Sequence, residues 1–293
     1  MKVSKSKTVN FIGFFLKKYF QDNLYKIFLF LRCRKKFKKN ISNVPNYEKF
    51  SKNLNNINKH EYKITSQNNE DGLIEFIFNN INSNKFFFEI GFDFYEFNSL
   101  NLIKNGWSGI LCDANIDNCY ALDSLLKYYN LGKKVKIINS KIFPDNINLI
   151  IKKFLPKNNT IDFFSLDIDG NDYWVLEKLD TSNINVICCE YNHWLGKEKK
   201  ITMPYNKNHN FLDDGYFGAS FKAFNELLKN RNFELIAVDS SGTNLFFVKK
   251  TLAINFEILY PENSFQSVGR FYSEKQKLKI YENIKLKKFI ELD

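Results

Sequence analysis

Five short apolar runs, at 85–91, 107–113, 133–139, 161–167 and 185–191, each end in a polar residue. Each is followed by a stretch long enough for a helix or, after the last, a long insertion. Near-continuous apolar strands of this kind belong to a sheet covered on both faces, and strands alternating with helices make that sheet mostly parallel. The periodicity predicts helices at about 71–83, 97–105, 116–130, 145–154 and 172–179. Gly106 stops the second, and Asn171 or Asp172 caps the last. Within 116–130, Cys119, Leu122, Leu125, Leu126 and Tyr129 share one face. After a further helix at 218–230 the pattern changes: "FELIAVDSSGTNLFFVKK" reads as two strands joined by a Ser-Ser-Gly-Thr turn, an antiparallel hairpin. A chain of 293 residues, 44% hydrophobic and with 31 Phe, can fill such a core.

Five β-α units closed by an antiparallel hairpin match the layout of the class I methyltransferase sheet. An ordinary dinucleotide-binding sheet ends on a parallel strand. The predicted fold is therefore α/β and Rossmann-like, with helices on both faces. Ligands of such sheets bind beyond the carboxyl ends of the strands. Those ends carry Glu89-Ile-Gly91, Asp113, Asn139-Ser140, Asp167-Ile-Asp169-Gly170 and Glu190-Tyr191-Asn192. Asp113 follows Glu89 by about the spacing expected of an acid that binds a ribose hydroxyl. Gly91 lets a backbone approach a ligand closely. In the fourth group Asp167 and Asp169 are expected in the cleft, while Asp172 with Asn171 starts a helix.

Several other readings fail on position. A calcium loop begun at Asp167 needs Gly at its sixth place and Glu at its twelfth, where Asp172 and Lys178 stand. A dinucleotide fingerprint needs a second glycine where Asp93 stands. The acids of "GFDFYE" would repel a pyrophosphate, but they suit a sulfonium cation. Cys33, Cys112, Cys119, Cys188 and Cys189 show no metal spacing and read as reduced thiols of a cytoplasmic protein.

Charge is distributed unevenly. The whole chain carries +11, and residues 1–40 hold twelve Lys/Arg against one acid, Asp22. The body is thus near neutral, and no nucleic acid partner is expected. The expected domains are a basic, aromatic-rich helical arm (1–40), a linker (41–69), the catalytic domain (70–250) and a C-terminal extension (251–293). No apolar run in the arm is long enough to span a bilayer. Two readings of residues 11–39 stay open: a helix packed on the main domain, and peripheral contact with the anionic inner face of a membrane.

The stretches "FFFEIGFDFYEFNS", "NGWSGILCDAN", "FFSLDIDGNDYWVLEKL", "CEYNHWLG", "MPYN", "YFGASFKAFNELLK" and "SGTNLFFVKK" give residues 70–250 a resemblance to FkbM-like class I S-adenosylmethionine (SAM)-dependent methyltransferases. The resemblance implies O-methylation of a hydroxyl on a sugar, glycan or glycolipid acceptor, as in polysaccharide modification. It places Glu89 and Gly91 in the first SAM-binding loop, Asp113 on the ribose, and Asp167 and Asp169 between donor and acceptor. Tyr95 and Asn139 join the expected cofactor contacts; Asp93 and Tyr95 depart from the wider class, where glycines are common.

A sugar hydroxyl is weakly acidic, so its proton needs a base or a Lewis acid. Asp169 and His193 are the candidate bases. Alternatively Asp169, Glu190 and Asn192 offer hard oxygen ligands to Mg²⁺. The insertion 192–217, too long for an ordinary connection, supplies Trp194, Tyr205, Phe211 and Tyr216 for a lid or a structural flap. Two rivals remain: a glycosyltransferase holding a metal on Asp167-x-Asp169, and a catalytically idle adaptor of methyltransferase shape.

Overall fold

The computed structural model describes residues 22–47, 55–157, 159–267 and 272–293. Seven strands form one sheet: β1 (Phe86–Ile90), β2 (Ser108–Asp113), β3 (Val135–Asn139), β4 (Ile161–Leu166), β5 (Ile184–Glu190), β7 (Phe233–Val238) and β8 (Asn244–Lys249). Their order is β3-β2-β1-β4-β5-β8-β7. The first five pair in parallel, and β8 lies antiparallel to both β5 and β7. This is the Rossmann-like, mostly parallel sheet with a closing hairpin that the strand pattern predicted.

Strand parity builds two cores. Phe87, Leu111, Phe163, Val186 and Cys188 face one layer, with Tyr25, Leu73, Leu102 and Leu122 from the helices above them. Phe88, Ile110, Phe164, Ile187 and Cys189 face the other, with Ile147, Leu176 and Phe224. The first layer contains α1 (Asp22–Ile41), α2 (Glu70–Asn80), α3 (Leu100–Lys104) and α4 (Ile116–Tyr128); the second contains α5 (Ile147–Phe154), α6 (Asp172–Lys178) and α7 (Phe221–Lys229). Each alternate side chain of a strand thus meets a helix, which is why the strands are apolar throughout. All five cysteines are free and buried.

The flanking segments are folded onto this body. Tyr25, Leu29, Cys33 and Phe37 recur every fourth residue on α1 and are buried. The Tyr25 hydroxyl donates to Asp117 of α4 at 2.7 Å. Residues 1–21 of the predicted arm lie outside the described residues. Within the stretch expected as a linker, Asn56–His60 form a 3-10 helix, and Glu61, Thr65 and Ser66 are fully buried. Asp71 collects the backbone N–H groups of Ile64, Thr65 and Ser66. The C-terminal extension adds α8 (Pro261–Ser264), α9 (Glu274–Lys285) and β9 (Ile290–Glu291), which pairs with β6 (Ile201–Thr202) of the insertion. Among the described residues, no helix is long and apolar enough to cross a membrane.

Candidate active site

The carboxyl ends of β1, β2, β4 and β5 open into one cleft of about 770 Å³. Its floor is a close approach of two chain segments. Gly91, immediately after β1, has φ +79, and a Cβ there would lie 1.5 Å from the Asp167 carbonyl oxygen. Only glycine allows β1 and β4 to end side by side in this way. Glu89 is buried; its carboxylate accepts the N–H groups of Asn98 (3.0 Å) and Ser99 (2.8 Å) and so shapes the loop after β1. Burial pushes its pKa up to about 7.

Asp113 ends β2 on the cleft wall and accepts N–H bonds from Phe92 (3.2 Å) and Asn115 (2.5 Å). Burial raises its pKa above the ordinary carboxylate value. Asn115 in turn caps α4 through the N–H of Asp117. Tyr95 also lines the cleft. Asn139 does not. Its amide donates to the carbonyls of Asp113 (3.0 Å) and Ala114 (3.1 Å), bracing the β2 turn from outside the cleft wall.

The end of β4 supplies the strongest electrostatic feature. Asp167, Asp169 and Glu190 each bring a carboxylate oxygen within 4.8 Å of the others. Burial, then the neighbouring carboxylates, raise the pKa of all three, that of Asp169 to about 6. Among the described residues no donor reaches the buried Glu190 Oε2, and the Asp167 carboxyl beside it contributes to its raised pKa. Asp169 holds φ +55, a left-handed conformation that aspartate tolerates better than most residues. Asp172 serves the backbone instead. It accepts the N–H groups of Ile168 and Gly170, both at 2.8 Å, and folds the loop that carries Asp169. Asn171 stands at the helix N-cap without a side-chain cap bond. It ties instead to the backbone of Asn206 in the insertion.

Two expectations need correction. Asn192 is buried and is not among the residues lining the cleft beside Asp169 and Glu190. Its amide nitrogen donates to Gly215 (2.9 Å) and Phe217 (2.8 Å), and its oxygen accepts the Trp194 N–H (3.0 Å), which turns the side chain toward the insertion. Asp167 takes its place in the carboxylate group. His193 lines the cleft, but burial pushes its pKa down to about 3, leaving it neutral and weakly basic. Its Nδ1 lies 3.1 Å from Ser267 Oγ.

The insertion forms the outer wall together with the C-terminal extension. Trp194 and Phe211 line the cleft, whereas Tyr205 and Tyr216 do not. Tyr272 and Tyr281 pack edge-on against Trp194 at 5.2 and 5.4 Å. Asn283 donates to the Asp214 carbonyl at 2.8 Å, holding α9 to the insertion. Tyr272 and His209 belong to the cleft and were missed by sequence reasoning. A Cβ on Gly170 would meet the His209 ring at 2.4 Å, so Gly170 makes room for it. His209 Nε2 is buried with no hydrogen-bond partner among the described residues. Gly170 was the available signal, but it names no partner. Among the described residues, nine carboxylate side chains line the cleft against one lysine, Lys141, whose ammonium donates to the Lys207 carbonyl at 3.0 Å.

No protein-family model and no curated protein matches the chain. Among solved structures it is similar to the N-terminal domain of EvdMO1 with S-adenosylhomocysteine (SAH) bound, at 10% identity over 75% of this chain and 95% of that one, TM-score 0.42. It is similar to magnesium protoporphyrin IX methyltransferase from Synechocystis PCC 6803 with bound SAM, at 11% identity over 61% and 77%, TM-score 0.40. A third is M. capricolum TrmK in complex with SAH, at 15% identity over 60% of this chain and 65% of that one, TM-score 0.36. Identities and scores this low transfer no residue role to this chain.

Proposed function

We propose that this chain is a SAM-dependent O-methyltransferase of the FkbM-like branch, acting in the cytoplasm on a hydroxyl of a sugar, glycan or glycolipid acceptor. The observation that carries the reading is the cleft at the strand ends, rich in carboxylates and poor in cations, floored by Gly91 against Asp167. That chemistry attracts a sulfonium and repels a diphosphate. SAM, when bound, supplies an electrophilic methyl group on positively charged sulfur. Asp113 accepts a ribose hydroxyl, Gly91 and Tyr95 border the cofactor, and Glu89 holds the loop that covers it. Asn139 supports the same end indirectly, through the carbonyls of Asp113 and Ala114.

With SAM held there, Asp167 and Asp169 would stand between the methyl donor and the acceptor hydroxyl, and the methyl group would pass from sulfur to that oxygen, leaving the C–S electron pair on sulfur. Asp169, with a pKa near neutrality, takes the hydroxyl proton, as a base working close to ambient pH should. His193 offers a neutral hydrogen-bonding wall. Trp194, Phe211 and Tyr272 supply flat apolar surface for a sugar face. Holding both reactants in line contributes a large share of the rate.

A metal-assisted form of this reading is favoured by the Glu190 oxygen that no donor reaches among the described residues. Asp167, Asp169 and Glu190 fit a divalent ion such as Mg²⁺ as oxygen donors. The ion would polarise the acceptor hydroxyl, and Asp169 would then serve as a ligand.

Calorimetric titration with SAM and SAH, beside Asp113→Ala and a UDP-sugar control, tests the proposal. Binding of SAM that Asp113→Ala weakens at least tenfold is expected. Failure of well-folded protein to bind SAM would sink it. Heat from the UDP-sugar alone would then favour a glycosyltransferase, and silence from both an adaptor.

A further inference from the structure

α1 meets the body with one face only. Opposite the buried Tyr25, Leu29, Cys33 and Phe37, it presents Leu24, Ile27 and Leu31, which are 47%, 53% and 62% exposed. These three recur at spacings of three and four residues, a single outward stripe. Beyond the stripe the same helix continues into Arg32, Lys35, Lys38 and Lys39, all exposed. None of these four forms an ion pair among the described residues. The helix's other cations, Lys26, Arg34 and Lys36, lean on the rings of Tyr120, Tyr128 and Tyr95. α1 contains one acid, Asp22. Past its end, Val44 and Tyr47 are 77% and 63% exposed.

We infer that α1 is a two-sided element: its inner face anchors it to the domain, and its outer face docks on an anionic lipid bilayer. An exposed apolar stripe continued by free cations, on a body that is near neutral elsewhere, matches a surface with a negative headgroup layer over hydrocarbon. A second copy of the chain would bring like charges together. The docking does not depend on the methyltransferase reading.

If that reading holds, docking also sets where the cleft opens. Lys36 of α1 lies over the ring of Tyr95, and Asn40 donates to the Tyr95 carbonyl. Tyr95 lines the cleft. Both contacts are made by the inner face of α1, so docking would hold this edge of the cleft about one helix diameter, roughly 10 Å, behind the docked face, within reach of a glycan carried on a lipid.

Vesicle flotation of the full chain tests the docking. The wild type should float with mixed phosphatidylcholine–phosphatidylglycerol vesicles and bind pure phosphatidylcholine at least about tenfold more weakly. Raising NaCl from about 0.1 M to about 1 M should release most of it. Ile27→Glu/Leu31→Glu and Lys35→Glu/Lys38→Glu should each lower binding by about tenfold or more. All four positions are exposed, and circular dichroism with thermal melting checks that both variants stay folded. Equal binding by wild type and both variants, or no binding to the anionic vesicles, overturns the inference. So does a wild-type dimer in light scattering that Ile27→Glu/Leu31→Glu dissociates without any lipid binding, which would assign the stripe to a second copy. SAM titration of the same samples reports separately on the methyltransferase reading.

Discussion

Two groups of acids, one buried and one half-buried, lie at the same end of the sheet and are treated differently by the fold. Under the β7–β8 turn, Glu70 accepts from the Asn68 backbone (2.7 Å), the Asn68 amide (3.1 Å) and the Asn244 amide (3.0 Å). Asp239 accepts the N–H groups of Thr243 (2.9 Å) and Asn244 (2.7 Å), and Glu61 that of Ser240 (2.7 Å). These acids tie the segment before β1 to the hairpin. Across the cleft, Asp167, Asp169 and Glu190 face one another, and among the described residues no donor reaches one Glu190 oxygen. Desolvation raises the pKa of Glu70 and Asp239 in the first group and of all three acids in the second, and only Glu70 and Asp239 among these five accept backbone or amide donors among the described residues.

Truncation should separate the two groups most sharply. Glu70→Ala strands three donors in the interior and should cost about 3 kcal/mol in urea unfolding, with a corresponding loss of melting temperature. Asp169→Gly relieves both the left-handed backbone and the carboxylate repulsion. It should stabilise the fold by roughly 1 kcal/mol while abolishing methyl transfer. A stable Glu70→Ala protein, or an Asp169→Gly protein that unfolds, would reverse the contrast.

Acidity gives the next test. The folded pKa of Glu89, about 7, lies above its ordinary value of 4.5, and that of Asp239, about 8, above 3.8. Each is protonated more readily when folded, so its contribution is complete below the ordinary value and is lost as pH rises through the folded one. The melting temperature should therefore fall between pH 5 and 8, Glu89 alone accounting for on the order of 3 kcal/mol. Asp239→Asn should flatten the upper part of that slope. A melting temperature that rises with pH would contradict the burial of both groups.

Ligands give a smaller effect confined to the second group. If the metal-assisted form proposed above holds, Mg²⁺ in hundredfold excess over its dissociation constant should raise wild-type stability by about 2.7 kcal/mol. Glu190→Gln should lose that gain, whereas Glu61→Gln should keep it. The smallest effect is expected at His209, whose removal to Ala should change stability by less than about 1 kcal/mol, because no hydrogen bond is broken.

The sheet was legible in the sequence because burial on both faces leaves long apolar runs and because polar residues can persist only at their ends. The same rule located Glu89, Asp113, Asp167, Asp169 and Glu190. It could not tell what each polar end does. Asn139 and Asn192 stand at strand ends like the acids beside them, but an amide carries donor and acceptor together and is readily consumed by nearby backbone groups. His193 resembled a base until its burial was known. His209 and Tyr272 reach the cleft through tertiary packing of distant segments, which no local spacing encodes. The 41–69 stretch is rich in Asn, Lys and Ser, a composition shared by linkers and by the side-chain-to-backbone network that holds much of it against the domain.

The pairing of β9 with β6 also bears on how the protein is made. The five parallel strands and the hairpin are complete once residue 249 has been synthesised. The outer wall of the cleft must wait for residues 274–291 to emerge, since α9 and β9 hold the insertion in place. A nascent chain that folds from its N-terminus would therefore assemble the strand-end wall of the cleft before its outer wall.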